Sequence, residues 1–295
     1  MHTPSFTGTS RPHAPGMPAP PEPLRQARAG DFIRLASDGK GGLAELLQLL
    51  GVGDAGEVAD STMPITVRRI HEGETLFHEA APAEGLYFVR AGTFKVLRTS
   101  ADGYEQVLDF AGRGELLGID AIGLQHYANE AVALEESSVY VVLLQDYLSV
   151  NPRIPSLDGA VFRAVSVALQ QRGEMAEMMA AVASETRLAR FLLQLSRRLA
   201  ASGQSAHRIH LRMGRRDIAS HLGVAHETVS RSFSSLMALG LVSVTNRDVE
   251  ILDLDELRAF SQGTRRPSED GARHAAAERL KRWHPLAQTP RSELD

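Results

Sequence analysis

The sequence predicts an α+β protein in three successive parts: a small antiparallel β barrel of jelly-roll type, one long helix, and a C-terminal helix-turn-helix with a hairpin wing. Three observations carry that expectation. Short runs of strand-like apolar residues, punctuated by turn signals, recur between residues 65 and 143. From about residue 156 the period becomes helical, in alternating three- and four-residue steps. Residues 215–236 (RRDIASHLGVAHETVSRSFSSL) then read as helix, tight Gly turn, helix.

Residues 1–30 are rich in Pro, Ser, Thr and Ala, with PHAPGMPAPPEP at their centre, and are expected to be a disordered arm. The β domain is assigned to 31–150. It opens with a modest helical signal at Leu43, Leu46, Leu47 and Leu50. Strands follow at 65–70 (ITVRRI), 75–77 (TLF), 85–90 (GLYFVR), 93–97 (TFKVL), 105–110 (EQVLDF) and 138–143 (SVYVVL). Between them stand the turn signals EGE at 72–74, AG at 91–92, DG at 102–103 and RG at 113–114.

Asn151-Pro152 punctuates the end of that domain, and 151–183 is assigned to the long helix. Phe162, Val165, Leu169, Arg172, Ala176, Met179 and Ala183 line one seam along it. Such a stripe is buried either inside one chain or against a second copy. Its place between a β domain and a helix-turn-helix favours a homodimer along this helix. Arg172 is the anomaly: burying it unpaired is costly, so it must snorkel or meet Glu174 or Glu177 of the partner subunit.

The third part is assigned to 184–262. Residues 185–202 (ETRLARFLLQLSRRLAAS) form an amphipathic helix that packs the module. In the next helix Ile218, Ala219 and Leu222 share an apolar face, and Gly223 ends it. Val229, Phe233 and Leu236 give the following helix its buried side. Two β runs, 239–244 (LGLVSV) and 249–251 (VEI), flank the polar turn 245–248 as a wing. Residues 263–295 are a polar tail with a short helical signal at 272–282, and Trp283 is expected to make a local packing contact.

Charge and composition bear on function. The 295 residues carry a net charge of −4, yet 185–250 holds ten Arg, no Lys and five acids. That is +5 locally and −9 for the remainder, as expected if one part alone holds phosphates. Cys is absent, which removes disulfides, thiolate metal sites, cysteine-held iron–sulfur clusters and thiol redox sensing. No apolar run reaches the ~20 residues needed to span a bilayer, and no signal peptide is evident, so a cytoplasmic protein without membrane contact is expected. There is no nucleophile elbow, P-loop or His-Glu zinc motif, so the chain is not expected to be an enzyme.

The helix-turn-helix with its wing therefore predicts binding to double-stranded DNA. The second helix should begin near Ala225 and present His226, Glu227, Ser230 and Arg231 outward. Arg231 can donate twice to guanine O6 and N7, and Glu227 can accept from cytosine N4. Arg212, Arg215 and Arg216 are assigned to phosphates, where they add affinity without sequence information.

These residues resemble the Crp–Fnr family of bacterial transcription regulators, and most closely its Fnr branch. The resemblance spans 65–257, about two-thirds of the chain, through ETRLARFLLQLSRR, RRDIASHLG and ETVSR in one half, and EGETLF, LYFVRAGTFKV and GELLGIDAIG in the other. It implies a cyclic-nucleotide-binding-like β barrel, a long dimerisation helix and a winged helix. It also implies binding to palindromic promoter sites and contact with RNA polymerase, for which the turn at Gly103 and Tyr104 is the candidate surface, although the family tends to have an acid where Tyr104 stands. Ser230 would lie near a thymine, and the implied half-site is TTGAT; His226 stands where the Crp branch has an Arg that reads a further guanine.

Two departures concern the effector. Oxygen-sensing relatives hold an iron–sulfur cluster with Cys of the N-terminal arm and one of the barrel; here the arm has none and Tyr140 takes the barrel position. Cyclic-nucleotide binders place an Arg after the Gly-Glu loop, where this chain reads HYANEAVALE at 126–135. The effector expected is neither an iron–sulfur cluster nor cyclic AMP. Haem sensing nitric oxide or carbon monoxide is the alternative, with His71, His78 and His126 as the nearby His residues. A function of another class, a ligand-binding regulatory subunit acting through protein contacts, is separated from these by a mobility shift on a palindrome.

Overall fold

The structure, a computed structural model, describes residues 39–52, 63–149, 154–181 and 183–263. The expected arm, the Asn151-Pro152 break, the helical signal at 272–282 and Trp283 lie outside the described residues.

The β domain begins with β1 (Gly39–Gly41) and the short helix α1 (Leu43–Leu49). Strands β2 (Ile65–Ile70), β3 (Thr75–Phe77), β4 (Gly85–Ala91), β5 (Phe94–Thr99), β6 (Glu105–Ala111) and β7 (Leu116–Leu117) follow. After α2 (Ala121–Leu124) come β8 (Glu130–Ala133), β9 (Ser137–Leu143) and α3 (Leu144–Ser149). Two antiparallel sheets result, in the orders β1-β2-β9-β4-β7 and β3-β8-β5-β6. The barrel expected from sequence is thus a jelly-roll sandwich rather than a fully closed barrel. Its core runs from Leu46 of α1 through Ile70, Phe88, Phe94 and Val142 to Leu157 and Val161 of the next helix.

One irregularity in β6 matters for everything downstream. Leu97 pairs with Val107 and Val96 with Asp109, so Leu108 is an extra residue in the ladder. A bulge of this kind puts two residues against one and resets which face the following side chains occupy. Val107 and Phe110, of opposite parity in the chain, thereby share the outer face of the sheet. There they join the core of the C-terminal module instead of that of the sandwich.

The long helix α4 (Pro155–Ala180) has Pro at its first turn, where the missing N–H costs nothing. It ends before Ala183, which belongs to the link into the next helix, so Ala183 is not part of the seam. The C-terminal module comprises α5 (Ser184–Ala201), β10 (Arg208–His210), α6 (Arg215–Leu222), α7 (His226–Ala238), β11 (Val242–Thr245), β12 (Asp248–Ile251) and α8 (Leu254–Gln262). Strands β10, β12 and β11 form a three-stranded wing. No described helix is long and apolar enough to cross a membrane.

Candidate nucleic-acid interface

The turn between α6 and α7 is built from backbone chemistry. Gly223 caps α6 at φ +62°, a left-handed conformation that a Cβ would strain, and its N–H returns to Ser220 O at 3.3 Å. Asp217 accepts from the Gly214 N–H at 3.0 Å, closing the other end of α6. Arg187 of α5 fixes this turn in space. Its guanidinium donates to Leu222 O at 2.9 Å, Ala181 O at 2.9 Å and Met179 O at 3.3 Å. The end of α4 and the end of α6 are thereby pinned by one side chain.

Val229, Phe233 and Leu236 bury one side of α7, so its opposite side faces solvent. His226, Glu227, Ser230 and Arg231 are all exposed and occupy that one face. His226 Nδ1 lies 3.0 Å from Glu227 Oε1. The Glu227 carboxyl is held below the ordinary carboxylate range by its own backbone N–H in the first turn and then by His226. Arg231 donates to Thr228 Oγ1 at 3.3 Å, a contact within the helix that the sequence reading did not single out. The face carries donors, acceptors and charges of both signs, at the N-terminal end of a protruding helix.

The three Arg assigned to phosphates are placed differently from one another. Arg216 is exposed. Arg215 lies over the Phe233 ring, 3.7 Å from its centroid, and burial lowers its pKa. Arg212 pairs with Glu135 of the β domain at 3.2 Å. In this arrangement Arg215 braces α6 against α7, and Arg212 is held by the other domain.

Along α4, Phe162, Val165, Leu169, Arg172 and Ala176 form an exposed row, with Phe162 71% and Leu169 62% exposed. Met179 leaves that row and is half-buried, with its Sδ 4.0 Å from Arg187 Nη1. Glu174 is engaged within its own chain, 3.3 Å from Arg197. Gly103 and Tyr104 sit in the turn joining β5 and β6, where Tyr104 is 51% exposed.

Inside the β domain the segment 114–127 folds over an aromatic plug. Tyr127 stacks on Phe77 with centroids 4.1 Å apart, and Tyr87 lies 5.5 Å from Phe77. The Tyr127 hydroxyl donates to Gly85 O at 3.0 Å and accepts from the Gly85 N–H at 3.0 Å. Gly118, at φ +76°, leaves room for this ring, since a Cβ there would come within 3.0 Å of it. Asp120 accepts from the Ala128 N–H at 2.6 Å. The segment 114–127 itself carries no Arg and presents the Asp120 carboxylate, a donor set that does not fit the charge-assisted grip a buried cyclic phosphodiester needs.

Tyr140 donates to Glu45 of α1 at 3.1 Å, and Arg90 lies over its ring. His71 and His78 are exposed and face Glu136 at 3.1 Å and Glu130 at 3.5 Å. His126 lies 2.8 Å from Leu124 O. No group of three or more His, Asp or Glu able to hold a metal ion occurs among the described residues.

Comparisons agree with this layout. Residues 186–260 match the Crp-like helix-turn-helix domain, and residues 67–150 match the cyclic nucleotide-binding domain. The transcriptional regulatory protein btr of Bordetella pertussis is 37% identical over 190 residues, which cover 64% of this chain and 78% of that protein. The fumarate and nitrate reduction regulatory protein of Escherichia coli is 33% identical over 196 residues, 66% of this chain and 78% of the relative. Among solved structures, FixK2 from Bradyrhizobium japonicum superposes with a TM-score of 0.61 at 24% identity, covering 68% of this chain and 99% of that one.

Proposed function

Since the chain belongs to the Crp–Fnr family of transcription regulators and is not an enzyme, we propose that it binds an Fnr-like palindrome with TTGAT half-sites as a homodimer. The observation that carries this reading is the single exposed face of α7 bearing Glu227, Ser230 and Arg231. Arg231 takes the guanine and Glu227 the cytosine N4, while Ser230 lies against a thymine. The exposed Phe162, Val165 and Leu169 row supplies the dimer seam, since a second copy offers the same row by two-fold symmetry. Two such α7 helices then meet two half-sites about one helical turn apart. The exposed turn at Gly103 and Tyr104 is the surface offered to RNA polymerase.

The effector in this reading is neither an iron–sulfur cluster nor cyclic AMP. The absence of Cys supports the first exclusion, and the Tyr127 plug with Asp120 supports the second. A selection from random DNA tests the site: a returned half-site lacking the central G·C pair ends the assignment. An absorption spectrum of protein purified from its host tests the effector. A Soret band would favour haem at His71, His78 or His126 instead.

A further inference from the structure

The β domain and the DNA reader meet across an interface that neither the reading of bases nor the dimer seam explains. Its apolar part is the outer face that the β6 bulge creates. Phe110, Phe191 and His221 form a triangle of rings with centroids 5.1 to 5.9 Å apart. Around it lies a polar ring. Ser220 of α6 donates to Glu105 O at 2.6 Å and accepts from the Val107 N–H at 2.8 Å, so an α6 side chain extends the β6 ladder. Gln106 Nε2 donates to Ser220 O at 2.5 Å. Arg198 donates to Asp109 at 2.9 Å.

The charged end of this interface lies at the N-terminus of α6. Lys95 of β5 reaches Asp217 at 3.2 Å, and Glu135 reaches Arg212 at 3.2 Å. Arg212, just before that helix, is one of the Arg assigned to backbone phosphates, and here its guanidinium meets the Glu135 carboxylate of the same chain. The α7 face remains open, so the β domain engages an Arg assigned to phosphates and leaves the exposed face of α7 free.

We infer that the β5–β6 hairpin and Glu135 form an intramolecular latch: Glu135 holds Arg212 in place of a DNA phosphate, and the reader must undock from β6 to bind DNA fully. The inference rests on the DNA-binding reading for its purpose, though not for its existence. The Glu135–Arg212 pair is half-exposed and so weak, which suits a contact that a polyanion displaces. The Ser220 contacts give the latch its register, because they recognise one position on one strand.

The test has two arms. Without DNA, amide hydrogen exchange at Val107 reports docking, since its N–H is held by Ser220 Oγ. Glu135→Gln and Ser220→Ala should each speed that exchange, and the exchanged pair Glu135→Arg with Arg212→Glu should restore protection. Unchanged protection in both single variants overturns the latch whatever the chain does on DNA. With DNA, Glu135→Gln should bind a palindrome about two- to fivefold more tightly. Its log–log salt slope should steepen by about one phosphate contact as Arg212 is freed. Duplex added to the full-length protein should also speed exchange at Val107. A protein that binds the duplex while Val107 stays protected overturns the latch alone; one that binds no palindrome while the variants still lose protection overturns the DNA reading alone.

Discussion

Arg231 and Glu227 stand one turn apart on α7, and in the proposed reading they divide one base pair between donor and acceptor. Replacing Arg231 with Ala should cost about 1–3 kcal/mol of specific binding and relax discrimination at the G·C pair. Competition assays with single-base variants of the palindrome check it; unchanged discrimination removes Arg231 from the base. Which side chains protrude from α7 was legible in the sequence, because Val229, Phe233 and Leu236 fix the buried side by spacing alone. The fates of Arg212 and Arg215 were not legible. Both are basic residues beside a DNA-reading motif, and only the fold brings Glu135 to one and the Phe233 ring to the other. His221 was within reach, since it sits three residues after Ile218 on the inner side of α6.

At the scale of elements, the α6–α7 turn is the most exacting. Gly223 holds φ +62°, and the nearest atom to an added Cβ, Met179 Sδ, would lie at 3.5 Å, an ordinary contact. Gly223→Ala should therefore destabilise through backbone strain and not collision, by roughly 1–2 kcal/mol in urea unfolding. A variant as stable as the parent would show that the turn relaxes. On α4 the exposed row includes Arg172, with no ion pair among the described residues. Arg172→Leu should lengthen the apolar stripe and tighten the dimer by about 1–3 kcal/mol, read by sedimentation equilibrium. An unchanged dissociation constant removes Arg172 from the seam. Strands such as β2 and β9 were visible as apolar runs, whereas β7 has two residues and β8 four. Runs that short carry no period of their own; the three-residue β3 is legible by its Thr and Phe, strand-favouring types that the Leu-Leu of β7 lacks. The bulge at Leu108 was hidden for a related reason: a strand's parity is readable, but an extra residue in its ladder depends on the partner.

For the molecule as a whole, docking of the two domains should depend on pH. His221 is buried between Phe110 and Phe191, and its Nδ1 has no hydrogen-bond partner. Burial pushes its pKa down from 6.5 to about 4; Asp109 and the Val107 backbone oppose that, and Arg198 adds to it. The docked, neutral form is thus fully favoured above about pH 6.5 and loses ground as pH falls towards 4. Each pH unit in that window costs about 1.4 kcal/mol. Glu115, beside Arg198, has its pKa raised by burial and acts in the opposite sense, its protonation favouring the docked form as pH falls. Protection of the Val107 amide should therefore fall on mild acidification, and His221→Leu should flatten that dependence. Equal slopes in parent and variant would free His221 of the role.

The exposed row on α4 has one more outcome. With Phe162 and Leu169 left in water, a lone chain would present one α7 helix where the proposed palindrome takes two. When copies per cell are few, paired chains grow as the square of the amount synthesised. Doubling expression would then about quadruple promoter occupancy, until pairing saturates and the response becomes proportional. If the chain pairs as proposed, gene dosage itself would become an input to this regulator, with a threshold set by how tightly one helical stripe closes on its twin.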